Sequence, residues 1–214
     1  MRTATLVIFL VACNRGPEAP PESEPSETTS AMESMTESAM AAPDPHAGLP
    51  SRPPAPPSID PASPVLAAVR WETHEPLTFR PPTRPMRNAE YAVAGDAGEA
   101  VMTVFHFPRM GGAVQENINR WVGQFQTPQG GPVEDAEVET KTVNGFEVTT
   151  VDVTGVFAGM GMGGSAPQSG TRMLGAIVVG PEGPIFFKLV GPEATVATAA
   201  TAFNDLIGSF EPAG

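Results

Sequence analysis

The sequence predicts an α+β domain, built from an antiparallel sheet with two principal helices and preceded by a disordered tether. Two segments carry apolar residues at helical spacing, which predicts two amphipathic helices. Alternating apolar runs joined by turn residues surround them, a pattern typical of antiparallel strands. The chain before residue 65 is instead rich in proline. We therefore expect a leader at residues 1–12, a tether at 13–64 and a globular domain at 65–214.

The leader predicts export and a lipid anchor. One positive charge precedes a short apolar run, which is too short to span a bilayer but suits an export signal. Residues 10–13 (Leu-Val-Ala-Cys) resemble the bacterial lipobox, in which the signal is cut before a cysteine that carries diacylglycerol. The resemblance implies a palmitate-bearing lipoprotein anchored through Cys13, the chain's single cysteine. The alternatives are an ordinary signal peptide with a chance cysteine and a frayed cytosolic terminus.

The residue after the lipidation site predicts which membrane holds the lipid anchor. Lipoproteins of two-membrane bacteria that stay at the inner membrane carry aspartate there, whereas this chain has Asn14. The resemblance therefore implies an extracytoplasmic protein of the cell envelope, in the outer membrane if the cell has two. Several acyl chains hold a protein durably in a membrane, since each buried CH₂ contributes about 0.8 kcal/mol to the free energy of membrane binding.

The segment between Cys13 and the domain is predicted to be a disordered tether that can extend far from the membrane. Residues 17–64 contain no aromatic side chain and about half of the chain's 25 prolines. Such a segment buries too little apolar surface to offset the entropy of ordering. Fully extended at about 3.1 Å per residue, it would span on the order of 150 Å. Its methionines, Met32, Met35 and Met40, suit Cu(I), but isolated thioethers in a disordered arm lack fixed geometry.

The first half of the domain predicts strands followed by a helix. Val69–Trp71 is expected to open the sheet, Ala89–Val93 is a short strand, and Ala100–Phe107 is a longer one that Pro108 ends. The period then becomes helical, with one apolar stripe and polar residues on the other side. The stripe consists of Val114, Ile118, Trp121, Val122 and Phe125.

The second half predicts two hairpins and a closing helix. Glu137–Val143 and Phe146–Val153 are joined by Asn-Gly, which favours a two-residue turn. After a loop over residues 155–170, Thr171–Val179 and Pro184–Val190 form a second hairpin. Pro192 is expected in the first turn of the last helix, where its missing N–H is harmless. The buried stripe of that helix is Val196, Ala199, Ala200, Phe203, Leu206, Ile207 and Phe210.

Three segments carry a family resemblance. Residues 119–124 (Asn-Arg-Trp-Val-Gly-Gln), 172–178 (Arg-Met-Leu-Gly-Ala-Ile-Val) and 186–192 (Phe-Phe-Lys-Leu-Val-Gly-Pro) resemble an uncharacterised family of bacterial lipoproteins. The element order is similar to the PsbP-like α/β/α sandwich, named for an extrinsic subunit of the photosynthetic oxygen-evolving complex. The matching residues pack the fold, so the resemblance implies no catalytic residue. The Gly/Met-rich loop at 158–164 is longer than the family pattern requires.

No motif commits the chain to a reaction, so we expect a protein that is not an enzyme and that holds no cofactor and no metal. The formal charge of −12 argues against a nucleic-acid partner. The three histidines have no metal-binding spacing. His106 with Asp152 is the one base and acid pair worth testing, and chance explains it equally well.

The candidate binding residues are arginines. Arg80, Arg84 and Arg87 form the only local basic cluster, and Arg120 is expected on the exposed side of the first helix. They suit an acidic envelope protein or a cell-wall polymer, or else they are simply solvated. The expected function is a protein-interaction or assembly module. The alternative is an extracytoplasmic receptor for a small molecule or a metal.

Overall fold

The computed structural model describes residues 59–108, 112–159 and 166–214. It contains eleven strands and two helices in these ranges. The strands are β1 (Val65–Leu66), β2 (Val69–Arg70), β3 (Thr78–Arg80), β4 (Ala89–Val93), β5 (Ala100–His106), β6 (Phe125–Gln126), β7 (Glu137–Val143), β8 (Phe146–Phe157), β9 (Gln168–Gly180), β10 (Gly183–Pro192) and β11 (Glu211–Pro212). The helices are α1 (Val114–Val122) and α2 (Glu193–Gly208).

Eight strands form one antiparallel sheet. Its order is β3-β4-β5-β10-β9-β8-β6, and β7 pairs with β8 on the same side as β6. The two predicted hairpins, β7–β8 and β9–β10, lie next to each other through the β8–β9 pairing. The three longest strands, β8, β9 and β10, therefore form the middle of the sheet.

The sheet carries a helix on each face. Along β9 and β10 the side chains alternate, because successive residues of a strand point to opposite faces. Phe187 packs in the core on the α2 side, and Phe186 packs in the core on the α1 side. The predicted stripe of α2 lies in the first core and Ile118 of α1 in the second. This confirms the predicted α+β class with two helices, arranged as an α/β/α sandwich.

The start of the domain forms a second, smaller sheet. Val69–Trp71 was expected to open the main sheet, but β2 pairs with β1 and with the C-terminal β11. Trp71 is 1% exposed, and its Nε1 donates to the Tyr91 hydroxyl at 3.3 Å. The prediction was wrong because the partner of β2 lies at the far end of the chain.

The hairpin predictions are confirmed. Asn144 and Gly145 have φ values of 47° and 93°, the left-handed backbone that a two-residue hairpin turn requires. β8 continues to Phe157, however, and β9 begins at Gln168. The strands therefore take up both ends of the loop expected at 155–170.

The helices are confirmed with shifted ends. α1 ends at Val122, and Phe125 lies in β6 rather than in the helix. Pro192 is the N-cap of α2, with φ −53° and ψ 134°, so the helix starts one residue later than expected. Neither helix of the described ranges is long and apolar enough to cross a membrane.

Several predictions concern residues outside the described ranges. The signal peptide at 1–12, Cys13 and the tether up to residue 58 lie outside them, as do residues 160–164 of the Gly/Met-rich loop. Ile59 is 6% exposed and belongs to the core on the α2 side, six residues before the expected domain start at Val65.

Candidate functional site

Glu90, on β4, is a fully buried carboxylate that binds two arginines. It accepts a hydrogen bond from Arg80 Nε at 2.7 Å and one from Arg87 Nη1, and the Thr83 hydroxyl donates to it at 3.1 Å. Burial alone would raise the pKa of Glu90, but these hydrogen bonds outweigh it and lower the pKa below its ordinary value. Arg80 also donates to Glu99 at 2.8 Å. The two arginines are thus neutralised within the domain.

A row of polar side chains crosses the sheet from Glu90. Glu90 is opposite Thr103 on β5, and Thr103 is opposite Lys188 on β10. Directly opposed residues of neighbouring strands point to the same face. Glu90, Thr103 and Lys188 therefore share the α1 face of the sheet, in a region where most other inward side chains are apolar.

Lys188 is a partly buried ammonium group without a carboxylate partner among the described residues. Its Nζ donates to the side-chain oxygen of Gln124 and lies 5.8 Å from the Trp121 ring centre and 5.6 Å from that of Phe157. Burial lowers the pKa of Lys188 from 10.5 to about 8, and the nearby positive charge of Arg120 adds to the effect. The two aromatic rings stabilise the charge only in part.

Arg120 precedes Trp121 near the end of α1, and its positive charge is close enough to lower the pKa of Lys188. Its side chain is exposed, as predicted, and it donates a hydrogen bond to the Asn117 side chain. No carboxylate of the described residues forms an ion pair with it. We call Arg120 and Lys188 the cation pair, because the charge of one lowers the pKa of the other and neither forms an ion pair with a carboxylate of the described residues.

Trp121 places α1 against the sheet over the cation pair. It is 5% exposed and packs on Phe186 with ring centres 6.1 Å apart. The strand residue beneath it is Gly175, which is opposite Lys188 on β9. A Cβ at Gly175 would lie 2.6 Å from Trp121 Cζ3, so only glycine lets the indole approach this closely. Trp121 is therefore core, as predicted.

The predicted binding arginines fall into three kinds. Arg80 and Arg87 hold Glu90 and so support the sheet. Arg84 lies between them in sequence, is exposed and has no ion pair with a described residue. Arg120 belongs to the cation pair. The sequence shows the charge of these arginines, but it does not show that Arg80 and Arg87 bind Glu90.

Sequence analysis missed Lys188, the buried member of the cation pair. The signal was present, because Lys188 shares its face of β10 with Phe186 and Val190, which pack in the core on the α1 side. A lone lysine between two core residues of one strand face is itself buried or lies at the boundary of the core.

The hypothetical base and acid pair is not assembled. Strands β10 and β9 separate His106 from Asp152, which places three strand spacings, about 14 Å, between their strands. Asp152 instead accepts from Arg172 Nε at 2.9 Å, and His106 Nδ1 lies 3.2 Å from the Pro184 carbonyl oxygen. In the described ranges, no three His, Cys, Asp or Glu side chains are grouped to hold a metal ion.

A cleft of about 540 Å³ lies beside α1. The exposed side of α1, strand β6 and the segment leading into β7 form its walls. Ile118 and Phe125 contribute its apolar floor, and Gln115, Asn119 and Glu134 contribute polar groups at its rim. Its volume falls within the range of ligand sites, but it is open to solvent rather than enclosed.

No protein-family model and no curated protein sequence matches this chain. Among solved structures, a Pseudomonas aeruginosa protein of unknown function is 10% identical with a TM-score of 0.42, covering 68% of this chain and 90% of that one. Cyanobacterial PsbP from Synechocystis is 13% identical with a TM-score of 0.43, covering 69% of this chain and 88% of that one. Likenesses this weak carry no argument about function.

Proposed function

We propose that this chain is a lipid-anchored envelope protein whose globular domain binds an acidic surface of another envelope protein through the cation pair. The observation that carries the proposal is that Lys188, under the Trp121 ring and within the electrostatic influence of Arg120, has no carboxylate partner in the described ranges. These are two cations without an ion-pair partner among the described residues, on a chain whose formal charge is −12.

The energetics of Lys188 support an anionic partner. A desolvated ammonium beside a second cation is unfavourable, which is why the pKa of Lys188 falls to about 8. A carboxylate brought in by a partner would form charge-assisted hydrogen bonds with both groups and remove that cost. An anionic partner at Lys188 and Arg120 would therefore gain favourable interactions that are not formed in the isolated domain.

The anchor rests on the sequence of the leader. Cys13 follows a lipobox-like segment, and 45 residues, 14–58, separate it from the first described residue, Ile59. Replacement of Cys13 by serine removes the only acylation site, so labelled palmitate should no longer be incorporated and the protein should leave the membrane fraction. Continued labelling of Cys13→Ser would disprove the anchor and leave the proposed binding surface unaffected.

The binding test uses the full chain with Cys13→Ser as a soluble bait in envelope extracts. The bait with an otherwise unchanged sequence should capture an acidic protein. The amount captured should fall as the salt concentration rises, because salt screens exposed charges. Arg120→Ala and Lys188→Met should each reduce the captured amount. Arg70→Ala is the matched control, because Arg70 pairs with Glu211 on the small sheet, away from the cation pair.

If Arg120→Ala and Lys188→Met capture as much protein as the control Arg70→Ala, the proposed surface is overturned. Capture of a cell-wall polymer in place of a protein, with the same dependence on Arg120 and Lys188, would replace the proposed partner class but retain the site. No difference from an unrelated lipoprotein bait would count against a binding function altogether.

The cleft beside α1 favours a second function, a receptor for a small molecule. Its volume of about 540 Å³ and apolar floor suit a compact organic ligand. A thermal-shift screen distinguishes the two functions, because a ligand that binds only the folded domain raises its melting temperature by mass action. Stabilisation that is lost in Asn119→Leu, at the rim of the cleft, but kept in Arg120→Ala would support the receptor.

A further inference from the structure

Strand β7 forms an edge of the main sheet. Among the described residues it pairs with β8 alone, and Glu137, Val138, Glu139 and Thr140 are all exposed. The opposite edge, β3, is three residues long and runs into Pro81 and Pro82, which cannot donate ladder hydrogen bonds. An edge seven residues long and free of proline is the kind that pairs with another strand.

The hairpin geometry determines which backbone groups of β7 point outward. The residues that flank the two-residue turn, Val143 and Phe146, form a hydrogen-bonded pair, and hydrogen-bonded and non-hydrogen-bonded pairs alternate from there. Thr140 is then in a non-hydrogen-bonded pair with Thr149, which agrees with the 3.0 Å between their hydroxyl oxygens. The N–H and C=O groups of Val138, Thr140 and Thr142 therefore face the open edge.

We propose that β7 pairs antiparallel with β7 of a second copy of this chain, with the two-fold axis at Thr140. In this register Thr140 faces Thr140 of the second copy, and Val138 faces Thr142 of the second copy. All outward N–H and C=O groups are then satisfied, and the two eight-stranded sheets become continuous. Val138, which is 48% exposed in the single chain, packs beside Thr142 of the second copy on the α1 face.

The charges of β7 select both the partner and the register. Glu139 lies opposite Lys141 of the second copy, and by symmetry the same pair forms twice. A shift by two residues in one direction places Glu139 opposite Glu139, and a shift in the other places Lys141 opposite Lys141. Directly opposed like charges destabilise a strand pair. A purely basic or purely acidic partner strand would likewise meet one residue of its own sign, whereas a second copy meets neither.

This surface is separate from the cation pair. The row from Lys188 through Gly175 and Val151 to Val138 spans three strand spacings, about 14 Å. Dimerisation through β7 therefore leaves Arg120 and Lys188 accessible, and the two surfaces are tested independently.

Sedimentation velocity of the full chain with Cys13→Ser, over a range of concentrations, tests the proposal. The parent chain should form a dimer. Glu139→Lys and Lys141→Glu should each raise the dissociation constant about tenfold or more, since two attractive pairs become repulsive. The double variant Glu139→Lys with Lys141→Glu should dimerise like the parent, because the opposed charges are exchanged but still complementary.

Mixing the single variants gives the sharpest result. Glu139→Lys has lysine at both positions 139 and 141, and Lys141→Glu has glutamate at both, so each alone should be largely monomeric while the mixture forms a heterodimer. Glu182→Lys is the control: it changes the net charge by as much as Glu139→Lys, but it lies at the exposed β9–β10 turn and should dimerise like the parent. Thr140→Pro, which removes an outward N–H, should be monomeric.

A monomeric parent chain at every concentration would overturn the proposal. So would dimers of both single charge variants as stable as the parent's, because the interface would then lie elsewhere. Far-UV circular dichroism of each variant distinguishes loss of pairing from loss of folding.

Discussion

The indole of Trp121 lies directly over the backbone of Gly175. A Cβ at Gly175 would stand 2.6 Å from Trp121 Cζ3 and 2.8 Å from a methyl group of Val151. α1 is nine residues long, and this contact lies where the helix approaches the sheet closely. The position of Arg120, the residue before Trp121 in the helix, therefore depends on the absence of a side chain at Gly175 on β9.

Gly175→Ala should destabilise the domain by moving Trp121. A methyl group forced into a closely packed contact costs about 1–3 kcal/mol, and the indole fluorescence of Trp121 should change as the ring shifts. Gly208→Ala, at a position with nothing within 4 Å of the added Cβ, is the matched control and should change stability little. Equal effects of the two substitutions would show that Trp121 does not rest on Gly175.

Lys188 should titrate near pH 8 in the folded protein. The chain has two lysines, Lys141 and Lys188, so ¹³C-dimethylation of the amines gives two side-chain NMR signals, and Lys141→Arg assigns them. Folding lowers the pKa of Lys188 from 10.5 to about 8, so between these pH values the unfolded chain binds more protons. The free energy of unfolding should therefore rise with pH across this window, and Lys188→Met should remove that rise.

A Lys188 signal that titrates at the ordinary pKa of 10.5 would contradict the desolvated environment. If an acidic partner binds the cation pair, its carboxylate should raise the pKa of Lys188, and affinity should fall as the pH rises through that higher value. The pH dependence of binding then has the opposite sign to that of stability.

Local patterns predicted much of the fold. The Asn144-Gly145 turn defines the β7–β8 hairpin because few residues tolerate its positive φ values. The apolar spacing of α2 defines its buried face, and Val196, Phe203 and Ile207 are all buried. Patterns of this kind depend on neighbours in sequence, which is why they can be read without a structure.

The small sheet and the cation pair could not be predicted in this way. β2 pairs with β11 across most of the domain, and nothing near Val69 indicates that partner. Lys188 meets Arg120 only because β10 and α1 pack together, and Arg80 meets Glu90 only through the β3–β4 pairing. The charge of a side chain is visible in sequence, whereas its neutralisation depends on contacts that only the fold provides.

Glu90→Gln should destabilise the domain and change its acid sensitivity. The buried carboxylate binds Arg80 and Arg87, and its loss leaves Arg87 without a counter-charge and Arg80 with only the exposed Glu99. We expect a cost of about 2–4 kcal/mol, below that of a fully buried pair because both arginines reach solvent. The pKa of Glu90 is lowered from 4.5, so its stabilisation is complete above pH 4.5 and is lost as the pH falls below it.

Urea unfolding at several pH values checks this expectation. The difference between parent and Glu90→Gln should be largest at neutral pH and should shrink in acid. Glu99→Gln is the control, because Glu99 is exposed and binds only Arg80, so its effect should stay within about 0.5 kcal/mol. A pH-independent effect of Glu90→Gln would mean that the side chain matters for its shape and not for its charge.

Arg120→Ala and Trp121→Ala should fail in different ways although the residues are adjacent. Trp121 is 5% exposed, so its removal leaves a cavity and should cost about 3–5 kcal/mol, a large part of the stability of a small domain. Arg120 is exposed, so Arg120→Ala should leave the melting temperature nearly unchanged. It should, however, raise the pKa of Lys188, because a nearby like charge is gone. If Arg120→Ala unfolds the domain and Trp121→Ala does not, the face of α1 assigned to the core is wrong. If Arg120→Ala leaves the titration of Lys188 unchanged, the two residues do not interact and are not a cation pair.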